Sequence, residues 1–462
     1  MKIPTPTFRL ASVGAALCAA LTLTACGGGG DDSGLRYLTL DGTPPQVIAH
    51  RGYSGLYPEQ TRMAYEKAAD AGADMLELDM HMTRDCQLVA RHNAWLGDNT
   101  NVAEVAKTNP AVAARKRTTP GVLVDVKYPA IAANGPAQYL SDQLDANDQK
   151  SVLKALVVDG EDHTNDWSIS DFTMQELRDW LGGKILDNAA DRPAEWNGKL
   201  PLISVQDVID IAAAKGKAQS RTIPVYAETK NPYWNNQQAI ANGCGAPGTH
   251  PFEDAVMKLL EKNQLNSKTA PIYLQSFDPA SLKYLRQIGM KAKGVQLVDG
   301  NDINYQDGSM GYITTDEWTF ISGRPYSWTL AGDARTFGAM LTPAGLADIK
   351  TYADGIGPWK PEVLAHSVVP YKAGVGLKDV NTLKDTGLIA NAHKAGLIVH
   401  SFTFRNEPSR LAGIYKGDPI NEFLAYYRLG IDGVFTDFTP TGVQARKVYE
   451  RELVSASPNT AK

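Results

Sequence analysis

Glu77 and Asp79 stand two residues apart in an otherwise apolar run, and Glu228 and Lys230 repeat that spacing further along the chain. Residues two apart in an extended strand point to one side, so Glu77 and Asp79 face one way while Leu76, Leu78 and Met80 face the other. Brought together in an apolar setting, the carboxylates of Glu77, Asp79 and Glu228 would repel one another unless a cation sat between them. An all-oxygen set suits Ca2+ or Mg2+ and argues against zinc, which takes more imidazole or thiolate; calcium is the favoured occupant, magnesium the second candidate. His50 and His92 are then free for proton transfer, one neutral and one protonated, as general base and general acid. Arg51 and Lys230 add fixed positive charge. A divalent cation, a guanidinium and an ammonium together suit an anionic group, and phosphate fits best. Taken singly, a histidine at a strand end or a Glu-x-Asp pair is ordinary; their joint occurrence carries the reading.

These side chains need a scaffold that gathers strand ends. Short β-rich runs alternate with helical stretches from Gln46 onward, predicting strands over 46–50, 75–80, 88–92, 225–229, 272–276, 294–298, 355–358, 398–404 and 433–436. Amphipathic helices are expected over 61–71, 252–262, 279–287 and 383–395. The run 88–92 follows its predecessor too closely for a crossover helix and reads as a hairpin partner. Alternation to a count near eight predicts a parallel α/β sheet closed into a TIM-type (β/α)8 barrel, rather than an open doubly wound sheet. Every residue named above, and Ser276, Thr403, Arg405 and Asp437, then sits toward the carboxyl end of a strand, where side chains converge. The stretches from His92 to Val225 and from Val298 to Gly355 are too long for simple connections. They place insertions over about 99–166 and 299–352 on the catalytic face, the first with a small cap within 118–166.

Of 462 residues, 46 are Lys or Arg and 51 Asp or Glu, a formal charge of -5, so no basic excess exists to neutralise a nucleic acid. At the amino end, Lys2 and Arg9 precede an uncharged apolar stretch that suits an export signal but is too short to span a bilayer. It ends in Leu23-Thr24-Ala25-Cys26, which resembles the bacterial lipobox, so residues 1–25 are read as a signal and Cys26 as lipidated. That places the protein outside the cytoplasm, on the periplasmic or cell-surface side, touching a membrane through the lipid alone. Removing 1–25 takes two cations and no acid, leaving 44 against 51 and a charge of -7. Residues 26–45 read as a polar tether, 46–450 as a single barrel domain with insertions, and 451–462 as a tail. Cys86 and Cys244 remain as two thiols or one disulfide, the two readings about equal on this ground.

Further residues carry a family resemblance. The runs Ala49-His50-Arg51-Gly52, Pro58-Glu59-Gln60-Thr61, Gly72 through Asp79, Thr83-Arg84-Asp85 and Leu88-Val89-Ala90-Arg91-His92 resemble the opening signature of the glycerophosphodiester phosphodiesterase family. Tyr226 through Lys230, Gln275-Ser276-Phe277-Asp278, Val399 through Arg405 and Asp432 through Asp437 agree with it, and the long insertions resemble its exported bacterial branch. The resemblance implies a TIM-type barrel and metal-dependent hydrolysis of glycerophosphodiesters to sn-glycerol 3-phosphate and an alcohol. It implies Glu77, Asp79 and Glu228 as metal ligands, His50 and His92 as the acid/base pair, and Arg51 and Lys230 as phosphate contacts. Attack by a neighbouring glycerol hydroxyl, through a cyclic phosphate, and direct attack by metal-activated water both stay open.

Three residues depart from the family pattern. Gln60 stands where the family usually has Asn, Asn93 follows His92 where an acid is usual, and Cys86 replaces a turn glycine. Loss of the acid predicts that His92 is less strongly held as a cation, and a Cys86–Cys244 bond on the catalytic face would compensate for the lost glycine. Two rivals remain. One is a lipid-anchored anion-binding protein on a decayed barrel, which predicts a missing ligand or histidine. The other is phospholipase D-like cleavage of lysophospholipids or sphingolipids on the same barrel. For the latter, Trp95, Tyr233, Trp234, Trp318, Tyr326, Trp328 or Trp359 would cage a choline cation, although loop packing is their more ordinary use.

Overall fold

Strands buried on both faces read as near-continuous apolar runs, and here they assemble as the alternation predicts. In a computed structural model describing residues 35–117, 157–158, 161–162, 165–185, 191–312 and 323–456, eight parallel strands form the barrel. They are β1 (Gln46–Ala49), β2 (Met75–Met82), β3 (Val225–Thr229), β4 (Ile272–Ser276), β5 (Lys293–Val298), β6 (Gly355–Pro358), β7 (Ile398–Phe404) and β8 (Gly433–Thr436). Each pairs in parallel with the next, and β8 returns to β1, so the sheet closes. The short strand Leu88–Ala90 runs antiparallel to β2, Met80 opposite Ala90, and is the expected hairpin partner.

The helices start where the sequence can satisfy their first N–H groups. Thr61 caps Arg62–Asp70, Ser204 closes a capping box on Val205–Ala218, and Asp278 and Asp418 cap Pro279–Gln287 and Pro419–Tyr427. They pack on the outer face of the sheet in two clusters, one around β1–β4 and one around β6–β8. Inside, Ile48, Met75, Tyr226, Tyr273, Val295 and Phe435 fill the barrel. Tyr226 and Tyr273 stack with ring centroids 4.9 Å apart, a plugged floor beneath the mouth.

Three expectations change. The segment 383–395 is not one helix: Thr382–Asp385 is a strand antiparallel to Leu364–Ser367, and the helix begins only at Leu388, after Gly387 in a left-handed conformation. Residues 35–45 do not form a free tether. Tyr37 is buried against Tyr449, and the Leu40 N–H donates to Asp432. The last helix, Thr439–Ala456, continues beyond residue 450. The second long connection holds a hairpin, Asp302–Asn304 with Ser309–Gly311, and the helices Tyr326–Leu330 and Pro343–Lys350. The signal, Cys26, most of the cap and Trp318 lie outside the described residues. Among the described residues no helix is long and apolar enough to cross a membrane.

Candidate active site

The carboxylates form a row set by strand register. Asp79 of β2 lies opposite Glu228 of β3, and Glu228 opposite Gln275 of β4, with Glu77 two residues below Asp79 on the same face. Oxygens of Glu77, Asp79 and Glu228 all come within 4.8 Å of one another, and all three side chains are buried.

Local chain geometry fixes each of them. Arg51, immediately after β1, and Gln60 both adopt left-handed backbone, with φ of 57° and 55°. The Gln60 N–H donates to the Arg51 carbonyl at 3.0 Å, tying the two turns together. The Arg51 backbone N–H donates to Glu77 Oε2 at 2.6 Å, and Gln275 Nε2 donates to Glu77 Oε1 at 3.2 Å. Gln60 holds Asp79 from both ends, its amide NH2 donating to the carboxylate and its Oε1 accepting from the Asp79 N–H. The longer side chain at position 60 thus braces a metal-ligand candidate.

Cations and carboxylates balance unevenly. Lys230 Nζ lies 3.0 Å from Glu228 and 3.8 Å from Asp79, and Arg51 pairs with Glu59 at 2.7 Å and Asp79 at 3.6 Å. Burial, with Asp79 next, pushes the Glu77 carboxyl well above the usual range. Burial also pushes Glu228 up to about 8 against the pull of Lys230. Asp79 is held below the usual range because Lys230, His92 and Arg51 outweigh its burial. A buried, all-oxygen set with two carboxyls driven toward neutrality fits a hard divalent cation. The Gln275 Oε1, buried beside this set with no hydrogen-bond partner, adds an oxygen of the same kind.

The two histidines have unequal partners. His50 Nδ1 meets Asp437 Oδ1 at 2.6 Å, and the other Asp437 oxygen accepts from Arg192 and Arg405, each at 2.7 Å. Burial favours the neutral Asp437 carboxyl, yet Arg405, His50 and Arg192 hold it ionised, well below the usual range. His92 Nδ1 meets only the Asn93 amide oxygen, while its backbone carbonyl is held by His81 at 3.0 Å. Burial and Arg51 lower the pKa of both rings; Lys230 lowers His92 further, and Asp437 opposes the shift at His50.

All seven predicted residues converge on one cavity of about 610 Å³. Ser276, Thr403 and Arg405 line it as well, whereas Asp437 lines the adjoining space behind His50. Of the candidate aromatics, Trp95, Tyr326 and Trp359 line it, while Trp234 packs on Trp95 beneath Arg117 and Trp328 carries Arg335. The residues unforeseen in these roles are Glu59, Arg91, Arg192, Gln275 and the Asp437 partnership. Fully buried Arg91 donates to the carbonyls of Glu59 and Asn99, anchoring the segment that aims Arg51. Glu59 and Gln275 lie inside the recognised motifs, but Arg192 sits in an irregular stretch with no local signal.

Cys86, at φ 63° in the turn after β2, is bonded to Cys244, 158 residues on, with Cα atoms 5.6 Å apart. The pairing is the one expected from the replacement of the turn glycine by Cys86.

The chain is similar to known proteins along most of its length. Glycerophosphodiester phosphodiesterase GDPD6 of Arabidopsis thaliana is 29% identical over 87% of this chain and 85% of its own. A glycerophosphodiester phosphodiesterase of Haemophilus influenzae is 25% identical over 87% and 89%. A solved structure of glycerophosphodiester phosphodiesterase from Agrobacterium tumefaciens aligns with a TM-score of 0.44 at 12% identity, over 87% of this chain and 99% of that one. The model of the glycerophosphoryl diester phosphodiesterase family matches residues 50–441, a span opening at His50 and closing just beyond Asp437, and the chain belongs to that family.

Proposed function

We propose that this protein hydrolyses glycerophosphodiesters, such as glycerophosphocholine or glycerophosphoethanolamine, to sn-glycerol 3-phosphate and an alcohol. The observation that carries the reading is the convergence of Glu77, Asp79 and Glu228 beside Arg51, Lys230, His50 and His92 in one cavity. The three carboxylates would hold one divalent cation, calcium before magnesium, which when bound neutralises charge on the phosphate oxygens. Arg51 and Lys230 orient the same anion.

The unequal histidine partners divide the proton work. A carboxylate behind His50 stabilises its imidazolium, so His50 carries the proton given to the leaving alkoxide. His92, backed by a neutral amide, takes the proton of the attacking hydroxyl, whether water or a glycerol hydroxyl. One P–O bond forms as the other breaks, and the proton count closes between the two rings. The rival of a decayed binding protein needs a missing ligand or histidine, and all seven residues are in place.

We also propose export and lipidation at Cys26. The lipobox-like ending supports this, and the Cys86–Cys244 bond fits an oxidising compartment. The test of the reaction is phosphorus NMR of glycerophosphocholine turnover. Appearance of sn-glycerol 3-phosphate supports the assignment. A stable cyclic phosphate, or turnover of lysophospholipid alone, would replace it with the phospholipase D-like reading.

A further inference from the structure

Arg192 belongs to the long connection between β2 and β3, where its neighbours Asp191, Pro193, Ala194 and Glu195 are exposed. Its own side chain is 9% exposed, because it turns inward onto the barrel. Its Nε donates to Glu407 Oε1 at 2.6 Å, Nη1 to the Ser54 carbonyl at 3.2 Å and Nη2 to Asp437 Oδ2 at 2.7 Å. The guanidinium also lies 5.5 Å from the centroid of the Phe438 ring. One side chain thus joins the connections that follow β1, β7 and β8.

Two of these contacts lead to His50. Asp437 Oδ1 meets His50 Nδ1 at 2.6 Å, so Arg192 holds the oxygen that the imidazole leaves free. Arg405 Nε shares that oxygen at 2.7 Å. The Ser54 hydroxyl donates to the His50 carbonyl at 2.8 Å, and the Gly55 N–H donates to the Asp437 carbonyl at 2.9 Å. The turn gripped by Nη1 therefore carries the backbone of His50 and is tied to that of Asp437. Arg192 reaches the imidazole through its carboxylate partner and reaches the main chain of the same residue through Ser54, while Glu407 sets the direction of the guanidinium.

A buried guanidinium is costly unless paired, and here Arg192 and Arg405 balance Glu407 and Asp437. Buried ion pairs add little stability over apolar packing, so what this cluster supplies is direction. With Oδ2 held by two guanidinium groups, the Asp437 carboxylate is kept from swinging away from His50 Nδ1. The imidazole then presents its other nitrogen, Nε2, for the proton to be transferred. A planar fork with donors aimed at three separate acceptors holds such a direction, which a point charge on a flexible stem does not.

We propose that Arg192 is a positioning residue for the proton donor: the β2–β3 connection reaches onto the barrel and holds Asp437 and the Ser54 turn so that His50 faces the departing oxygen. The proposal rests on the phosphodiesterase reading with His50 as the acid. A departing alkoxide needs that proton, whereas p-nitrophenolate leaves without it. The test measures kcat and KM of wild type, Arg192→Gln, Arg192→Lys and Glu407→Gln on glycerophosphoethanolamine and on the p-nitrophenyl ester of glycerol 3-phosphate. Arg192→Gln should lose about tenfold in kcat on glycerophosphoethanolamine with KM little changed, the order of loss that follows removal of an orienting partner. Its kcat on the p-nitrophenyl ester should stay near that of wild type, which also shows that the variant folds. Arg192→Lys should recover part of the loss. Glu407→Gln, which weakens the hold on the guanidinium without removing it, should show the same selective loss to a smaller degree. Equal losses on both substrates in Arg192→Gln and Glu407→Gln, a loss confined to KM, or no loss would overturn the positioning role while leaving the phosphodiesterase reading intact. Release of glycerol 3-phosphate from neither ester by wild type would overturn both.

Discussion

The two sides of the barrel mouth are built on different terms. On the side of β1–β4, adjoined by β8, the charged groups are paired: Glu77, Asp79, Glu228, Arg51, Lys230, Gln60 and Asp437 each have a charged or hydrogen-bonding partner within the site, with Gln275 Oε1 left unpaired beside them. On the side of β5–β7, Trp359, Phe402 and Tyr305 line open space, and His366 and Glu422 keep unpaired atoms. The charged side sits on strand ends and the hydrogen-bonded segment between β1 and the first helix, which locate atoms tightly. The open side sits on long connections, which can vary without disturbing the chemistry. Rate and substrate choice would then divide between separate parts of one cavity.

If that division holds, changes on the charged side alter rate and pH dependence, and the largest effect should come from uncoupling His50. Asp437→Asn removes the carboxylate that stabilises its imidazolium. It should lower kcat by about 10–100-fold, the usual cost of losing an orienting partner. It should also move the basic limb of the pH-rate profile to lower pH, because a general acid with a lower pKa loses its proton sooner. A rate loss with an unmoved limb would make Asp437 a packing residue.

Asn93→Asp is the subtler change on the same side. A carboxylate at Nδ1 raises the pKa of His92, and a base that stays protonated to higher pH moves the acidic limb upward. An unchanged profile refutes the role given to His92. The smallest effect on activity should come from Cys86→Ser, since neither cysteine lines the cavity. Thermal unfolding should show a loss of about 2–5 kcal/mol in stability with kcat little altered. A large fall in kcat in protein that remains folded would mean that the turn after β2 positions the site.

What the sequence made legible follows the same division. The strands from Met75 to Thr436 end within a residue or two of their expected limits, because double burial imposes runs of apolar residues that periodicity detects. Glu77, Asp79 and Glu228 stood out because carboxylates are rare in such runs. Contacts between distant segments left no such mark. Arg192 reaches Asp437 across 245 positions, and nothing around it marks it as a partner of His50. Most of the strand Thr382–Asp385 falls in the helix expected over 383–395, because four residues cannot define a period. Its true partner, Leu364–Ser367, lies across a long turn. Gln60 was legible as a departure, but its two-ended hold on Asp79 depends on a left-handed backbone that side-chain type does not announce.

The central claim is that Glu77, Asp79 and Glu228 act as one cation site on which phosphodiester cleavage depends. The direct measurement is release of sn-glycerol 3-phosphate from glycerophosphocholine by wild type and Glu77→Ala, each before chelation, after it, and after calcium or magnesium is restored. Wild type should lose activity with chelator and regain it with metal, calcium giving the fuller recovery, while Glu77→Ala stays inactive throughout. Equal release under all these conditions would contradict the account.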